Sequence, residues 1–360
     1  MKKTIKIVLT LVLLMLLLYF VSPLYKALSL LGLILVWRNE LNPAFNNFKM
    51  GNKIAIVLLF VILAALPSNN GRVKLIYQDE DYHPTNTPIS HWVLSALIPE
   101  SEIMNASTLL CSMNIVDKIP IKQFQSFANG ILYKQYQKDF GIRHAMLKPY
   151  KNIQKPFSTP VSGIWSQCAN MVGLKQTRAV FIQKPKHYDA NKEYPLVVFC
   201  HGYMGNWLGY QGVFKDIDNC IILSIGTKDI SGIFKYDDIN KIFTKQIPFL
   251  EELGYKIDKN NVHIMGLSNG GSAVKIAYNN FSSKFASITF VSTGMLSHKV
   301  PCAVYYVGGC DTNAGGCYKQ AKANGMKTAC LYNPKWNHYL IMRHMNAFTD
   351  FMNSTYNFER

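Results

Sequence analysis

From about Gly173 onward the chain alternates between short apolar, β-rich runs and helix-length amphipathic segments, and that alternation constrains its fold more than any other feature. The runs are Ala179–Gln183, Pro195–Cys200, Cys220–Ile225, Val262–Gly266, Ser287–Ser292, Cys302–Val307 and Thr328–Tyr332. Between several of them lie Asp238–Leu253, Asn269–Asn279 and Ala314–Asn324, each long enough for a helix. Strands that read as nearly continuous apolar runs are buried on both faces, and intervening helices supply the covering layers. The pattern therefore predicts an α/β fold over residues 161–360, a mostly parallel sheet flanked by helices. With 49% hydrophobic and 16% charged residues the chain is not a disordered polymer. Its mean hydropathy of +0.04 is too low for a polytopic transporter.

One junction in this alternation carries chemistry. The run Val262–Met265 leads directly into Gly266-Leu267-Ser268-Asn269-Gly270-Gly271, and a helical segment opens behind it. This is G-x-S-x-G between strand and helix, the context of a nucleophile elbow. The turn is so tight that a Cβ on either flanking glycine would clash, and the serine is held in a strained backbone conformation at the carboxyl edge of the sheet. The helix N-terminus behind it favours negative charge.

A serine nucleophile needs a base, and the base needs an orienting carboxylate. The run Cys302–Val307 enters Gly308-Gly309-Cys310-Asp311, and Thr328–Tyr332 enters Asn333-Pro334-Lys335-Trp336-Asn337-His338. Asp311 and His338 thus follow Ser268 in the order Ser, Asp, His, each in a loop just past a strand end, where open α/β sheets bind ligands. A turn aspartate or a loop histidine alone would be unremarked; in this order at successive strand ends they read as a catalytic triad. The run Pro195–Cys200 leads into His201-Gly202-Tyr203, the turn expected to supply the second oxyanion donor. The donors are assigned to the backbone amides of Tyr203 and Asn269, with His201 a structural residue. Asn206, Trp207 and Tyr210 follow and are expected to line the acyl or leaving-group side.

These residues resemble an α/β-hydrolase, in particular the esterase group that contains polyhydroxybutyrate depolymerases, feruloyl esterases and related predicted peptidases. The resemblance rests on Lys184–Asp189, Tyr194–Gly202, Ile257–Val262 and the elbow Gly266–Gly271, and covers about 177–351. It implies an α/β-hydrolase fold and a serine hydrolase acting on a small-molecule or polymeric ester. The residues around His338 match no signature of a substrate class.

The first third of the chain is different. Ile7–Val21 is almost purely aliphatic and follows Lys2, Lys3 and Lys6; Ala27–Trp37 and Ile54–Leu66 are shorter apolar segments. Residues 1–67 are therefore expected to form a membrane region of one to three transmembrane helices in contact with the lipid bilayer. The early lysines hold the N-terminus in the cytoplasm, and Arg38, Lys49 and Lys53 favour the same side. One or three spans put the large domain outside the cytoplasm, two would leave it inside; the extracytoplasmic placement is the expectation. Residues 68–160 carry no motif and read as a connector with a partial cap.

The formal charge of +17 does not indicate nucleic-acid binding, because the lysines are scattered and only six arginines occur. It suits a lysine-rich proteome or an anionic membrane surface nearby instead. Of the eight cysteines, Cys200 and Cys330 lie in strand-like runs as buried thiols, while Cys310 and Cys317 flank a loop and would pair in an oxidising compartment. The remaining histidines lack metal-ligand spacing, His263 falls inside a core strand, and neither a metal nor a cofactor is implied. Two rival readings remain: a serine peptidase of oligopeptidase type, and a non-catalytic membrane scaffold that keeps the fold.

Overall fold

A computed structural model of the chain describes residues 3–37, 55, 59, 71–113, 116–118, 120, 125, 128–139, 141–153, 161–174, 177–294 and 298–356. Nine strands form one sheet: β1 (Val73–Gln78), β2 (Pro84–Thr85), β3 (Arg178–Gln183), β4 (Tyr194–Cys200), β5 (Ile221–Ile225), β6 (Ile257–Leu267), β7 (Ser287–Val291), β8 (Ala303–Gly308) and β9 (Thr328–Tyr332). Their order is β2-β1-β3-β5-β4-β6-β7-β8-β9. From β5 to β9 every pairing is parallel, whereas β1, β2 and β3 add an antiparallel end. All of β4, β5, β7 and β8 is buried, which is why those strands read as unbroken apolar runs. The seven expected strands are present with ends shifted by a few residues. A mostly parallel sheet with helices on both faces and an elbow at the end of a central strand is the α/β-hydrolase architecture.

The stretch 68–160 supplies β1 and β2 as well as covering helices. Among the described residues the helices before β3 are, in chain order, α1 (Lys3–Tyr19), α2 (Pro23–Val36), α3 (Ile89–Leu97), α4 (Glu100–Ser112), α5 (Ile131–Lys138), α6 (Ile142–Ile153) and α7 (Ile164–Met171), besides single helical positions at 55, 59, 125 and 128. Glu100 at the start of α4 pins this layer to the sheet. It is 2% exposed, and its carboxyl accepts hydrogen bonds from Tyr150 Oη (2.8 Å), the Gly209 amide (3.0 Å) and Ser162 Oγ (2.5 Å). Burial pushes its pKa up, against the opposing pull of those donors.

After β4 come α8 (Gly209–Val213), α9 (Tyr236–Lys241), α10 (Ile247–Glu252), α11 (Gly271–Asn280), α12 (Ala314–Ala323), α13 (Leu340–Arg343) and α14 (Met345–Thr355). The single helix expected over 238–253 is instead α9 and α10 joined by a π-turn at Ile242–Gln246. Pro248 has no N–H to donate to the preceding turn, so the regular ladder cannot run through. Two core clusters fill the faces of the sheet, one around Leu196, Val198, Ile264 and Phe290, the other around Val197, Phe199, Met265 and Phe348.

The N-terminal expectation needs correcting. Among the described residues no helix is long and apolar enough to cross a membrane. The aliphatic run ends as a helix at Tyr19, after 17 residues, and the chain turns at Phe20–Ser22 into the 14-residue α2. A proline at the start of α2 favours that break, since Pro fits the first helical turn and no position further in. The two helices pack as a hairpin whose open end is tied by Trp37 Nε1 donating to Thr10 Oγ1 (2.7 Å). The segment Ile54–Leu66 lies outside the described residues apart from positions 55 and 59. All eight cysteines are free, including Cys310 and Cys317, the pair that could join in an oxidising compartment; Cys310 is exposed and Cys317 is a buried residue of α12. Cys200 is buried as expected, and Cys330 is half-buried on the last strand.

Replacing Glu100 by Ala leaves a buried tyrosine hydroxyl, a serine hydroxyl and an amide without their acceptor, and is expected to lower stability by roughly 3 kcal/mol. Thermal unfolding of Glu100→Ala beside the milder Glu100→Gln checks this; two midpoints at the wild-type value would contradict it.

Candidate active site

The carboxyl edge of the sheet gathers the sequence-predicted residues. β6 ends at Leu267, and Ser268 follows with φ +53°, a left-handed backbone that is uncommon for any residue but glycine. The flanking glycines leave no alternative. A Cβ on Gly266 would stand 2.2 Å from the Gly270 carbonyl oxygen, and one on Gly270 would stand 2.2 Å from that of Cys200 at the end of β4. The elbow is therefore wedged against the neighbouring strand, and the positive φ of Ser268 follows from that squeeze. Met204 (φ +81°) after β4 and Ser292 (φ +48°) after β7 have left-handed backbones on the same edge. Strain of this kind clusters where a structure holds side chains ready for chemistry.

Asp311 lies just past β8 and His338 past β9, and they meet: His338 Nδ1 donates to Asp311 Oδ2. Both side chains are shielded, 11% and 3% exposed, so the pair sits in a setting where a carboxylate holds an imidazole firmly. The loops carrying them are joined by the Cys310 amide donating to the Trp336 carbonyl oxygen (2.8 Å). Between β6 and β8, Ser292 at the end of β7 donates its Oγ to the His338 carbonyl oxygen (2.9 Å). His338 is thereby held over the end of β7, between the Ser268 strand and the Asp311 strand. Its Nε2 is buried and has no hydrogen-bond partner, and Asp311 Oδ1 likewise. Ser268 and His338 are thus not hydrogen-bonded to one another.

Two residues without a sequence motif complete the histidine loop. The His338 amide donates to Gln135 Oε1 on α5 (2.9 Å). Asp139 accepts from Asn337 Nδ2 (2.8 Å) and from Arg343 Nη2 (2.5 Å). The covering layer therefore grips the loop on both sides of His338. No periodicity could have signalled this, because both contacts span about two hundred residues.

The His201–Tyr203 turn abuts the elbow, with the Gly202 backbone closest to Leu267 and Ser268. His201 is fully buried. Its Nδ1 contacts the Gly202 carbonyl oxygen (2.7 Å) and its Nε2 accepts from the Thr227 amide (3.1 Å), which assigns the neutral tautomer with the proton on Nδ1. Burial, outweighing the Gly202 hydrogen bond and the charge of Asp229, lowers its pKa to about 4. It is a brace for the turn, as the sequence indicated. Asn269 donates its Nδ2 to the Ser231 carbonyl oxygen (2.9 Å), fixing the residue after the serine. Asn206, Trp207 and Tyr210, expected to line the site, are instead buried in the core. Asn206 knots β3 to β5 through the Ala179 and Ser224 carbonyl oxygens (3.0 and 3.1 Å), which accounts for a buried amide there. Among the described residues no group of three His, Cys, Asp or Glu side chains is placed to hold a metal ion.

No protein-family model matches the chain, and no curated protein matches it. Among solved structures it is similar to a thermostable esterase at 19% identity and TM-score 0.36, over 47% of this chain and 56% of that one. It is similar to a ferulic acid esterase from Anaeromyces mucronatus at 16% identity and TM-score 0.40, over 51% of this chain and 86% of the other. An acylaminoacyl peptidase from Pyrococcus horikoshii aligns at 13% identity and TM-score 0.39, over 50% and 40%. The chain thus spans little more than half the length of the first and less than half of the third. The fold stands on the strand order and the elbow, not on these likenesses.

His201 and the core-strand His263, whose pKa burial and the Lys327 charge lower to about 3, set a pH dependence. Both imidazoles stay neutral in the folded chain and titrate near 6.5 once unfolded. The unfolded chain then binds more protons below that value, so stability is full above pH 6.5 and falls as the pH drops toward 4. Denaturant midpoints across that window check the sign; a midpoint that stays level from pH 7 to pH 4 would contradict it.

Proposed function

We propose that this protein is a serine hydrolase that cleaves carboxylic ester bonds, held at a membrane by its N-terminal hairpin. The observation that supports the catalytic part is the shielded His338–Asp311 hydrogen bond on the loops past β8 and β9, together with the left-handed backbone of Ser268 past β6. In the reaction, Ser268 Oγ attacks the ester carbonyl carbon while His338 Nε2 takes its proton. Asp311 keeps the imidazole oriented and offsets the charge of the imidazolium. The Tyr203 and Asn269 amides hold the tetrahedral oxyanion. His338 then gives the proton to the leaving alcohol, and the acyl group stays on Ser268. Water, deprotonated by the same nitrogen, releases the acid and restores the serine. Gln135 and Asp139 act through the histidine loop and not on the substrate.

The membrane part is supported by the hairpin's surface. Leu18 is 85% exposed and Met15 69%, with Leu11 and Leu35 at 57%, an apolar face unsuited to water. At 17 residues α1 is about 26 Å long, short of the roughly 30 Å of a bilayer's hydrocarbon core, a mismatch that local thinning of the bilayer would have to absorb. The turn of the hairpin docks on the large domain: the Val21 amide donates to Glu102 Oε1 (2.6 Å), and Arg143 Nη2 donates to the Tyr19 carbonyl oxygen (2.7 Å). At the opposite end Lys6 lies over the Trp37 ring. The lysines at its open end favour the cytoplasm and the turn at its other end touches the catalytic domain, which is the extracytoplasmic placement expected for three spans and not for two.

Two measurements test the proposal. A fluorophosphonate probe is expected to label the wild-type protein and not Ser268→Ala, with the variant still folded; labelling that survives the substitution would remove Ser268 from its role. On sealed right-side-out membrane vesicles, a membrane-impermeant maleimide is expected to modify the exposed Cys310 before any permeabilisation. Modification seen only after permeabilisation would place the domain in the cytoplasm.

A further inference from the structure

The docking of the hairpin on the catalytic domain encloses a cavity of about 340 Å³. One wall comes from the hairpin turn, with Leu18, Phe20 and Lys26; the other is one face of α6, with Arg143, His144 and Lys151. His144 and Lys151 are two helical turns apart and so project from the same side. Its lining holds three permanent cations and a histidine and no carboxylate. Glu102 beside it is turned away, its oxygens taken by the Val21 and Ser22 amides and by Asn105 Nδ2 (2.9 Å). Arg143 is already positioned: its Nε donates to Asn105 Oδ1 (2.7 Å) and its guanidinium lies over the Tyr19 ring. Lys26 and Lys151 are exposed, and among the described residues neither forms an ion pair. The cavity is therefore positive and preorganised on one side, with adjustable cations on the other.

Its rim is apolar. Leu18 and Met15, among the most exposed large side chains of α1, continue from it along the hairpin. A ligand that satisfies both parts has an anionic head about the size of a phosphodiester and an aliphatic tail. We propose that this cavity binds the phosphate headgroup of an anionic phospholipid, with Lys26, Arg143 and Lys151 as its charge partners and its acyl chains lying along α1. The proposal rests on the hairpin being in a membrane. It gives the net charge of +17 a specific local use, because cationic groups beside a bilayer are drawn to anionic lipids. The bound lipid bridges hairpin and domain, so it fixes the catalytic domain against the bilayer surface.

The test uses the full chain in a non-ionic detergent, titrated with dihexanoyl phosphatidylglycerol, dihexanoyl phosphatidylcholine or inorganic phosphate and followed by calorimetry. Phosphatidylglycerol is expected to bind saturably and at least tenfold more tightly than either of the others. Binding is expected to fall at least tenfold in Lys26→Gln/Lys151→Gln and to return in Lys26→Arg/Lys151→Arg, with turnover of a soluble ester unchanged in both. Equal affinity for the two lipids, or undiminished binding by the glutamine variant, would overturn the proposal. Inorganic phosphate binding as tightly as phosphatidylglycerol would make the cavity a free-anion site and overturn the lipid assignment. Flotation with pure phosphatidylcholine vesicles reads the anchor alone: loss of flotation removes the membrane reading whatever the titrations give, and retained flotation with failed titrations removes only the lipid site.

Discussion

Where β6 meets the end of β4, two stretches of backbone approach so closely that neither can carry a side chain. The Gly270 Cα faces the Cys200 carbonyl, and the Gly266 Cα faces the Gly270 carbonyl. That contact accompanies the left-handed turn at Ser268. It also presses the His201–Gly202 turn against the elbow, so the region assigned to the oxyanion donors is set by the same squeeze. A larger residue at either glycine would have to move a central strand of a fully buried sheet, and packed interiors do not yield in that way. The position of Ser268 is thus a consequence of main-chain packing.

The other members of the site are held by loops, which need support from elsewhere. His338 is fixed at four points: its ring by Asp311, its carbonyl by Ser292, its amide by Gln135, and its neighbour Asn337 by Asp139. The last two come from the helical layer that Glu100 fastens to the sheet through Gly209 and Ser162. The same layer receives the hairpin turn through Glu102 and Arg143. Only three residues separate Arg143 from Asp139, which grips the histidine loop. The N-terminal hairpin, the covering helices and the base are consecutive links of one packed assembly.

Much of this was legible in the sequence, and the reasons differ by element. β4, β5, β7 and β8 announced themselves because strands buried on both faces tolerate almost no polar residue. The positions of Ser268, Asp311 and His338 past the ends of β6, β8 and β9, and the meeting of the last two, followed from strands that the sequence already marked. β1 was not, since Val73–Gln78 is a lone short run in a polar, proline-containing stretch and alternates no more clearly than its surroundings. The grip of Gln135 and Asp139 on the histidine loop left no trace, being a tertiary contact between segments about two hundred residues apart. Asn206, Trp207 and Tyr210 misled because closeness in sequence to the oxyanion turn suggested a place in the site, while the chain turns them at once into the core. The N-terminal apolar segments were read from their composition and the flanking lysines, which do not show that the first ends as a helix after 17 residues and turns back into the second.

The central claim is that Ser268 carries the acyl group during ester cleavage. Peptide mapping by mass spectrometry of the protein acid-quenched during turnover of an activated ester tests it most directly. The account predicts one acyl group per chain, on the peptide that contains Ser268, appearing as a burst before steady turnover. Steady turnover with the acyl group on another residue, or with no acylated peptide at all, would contradict it.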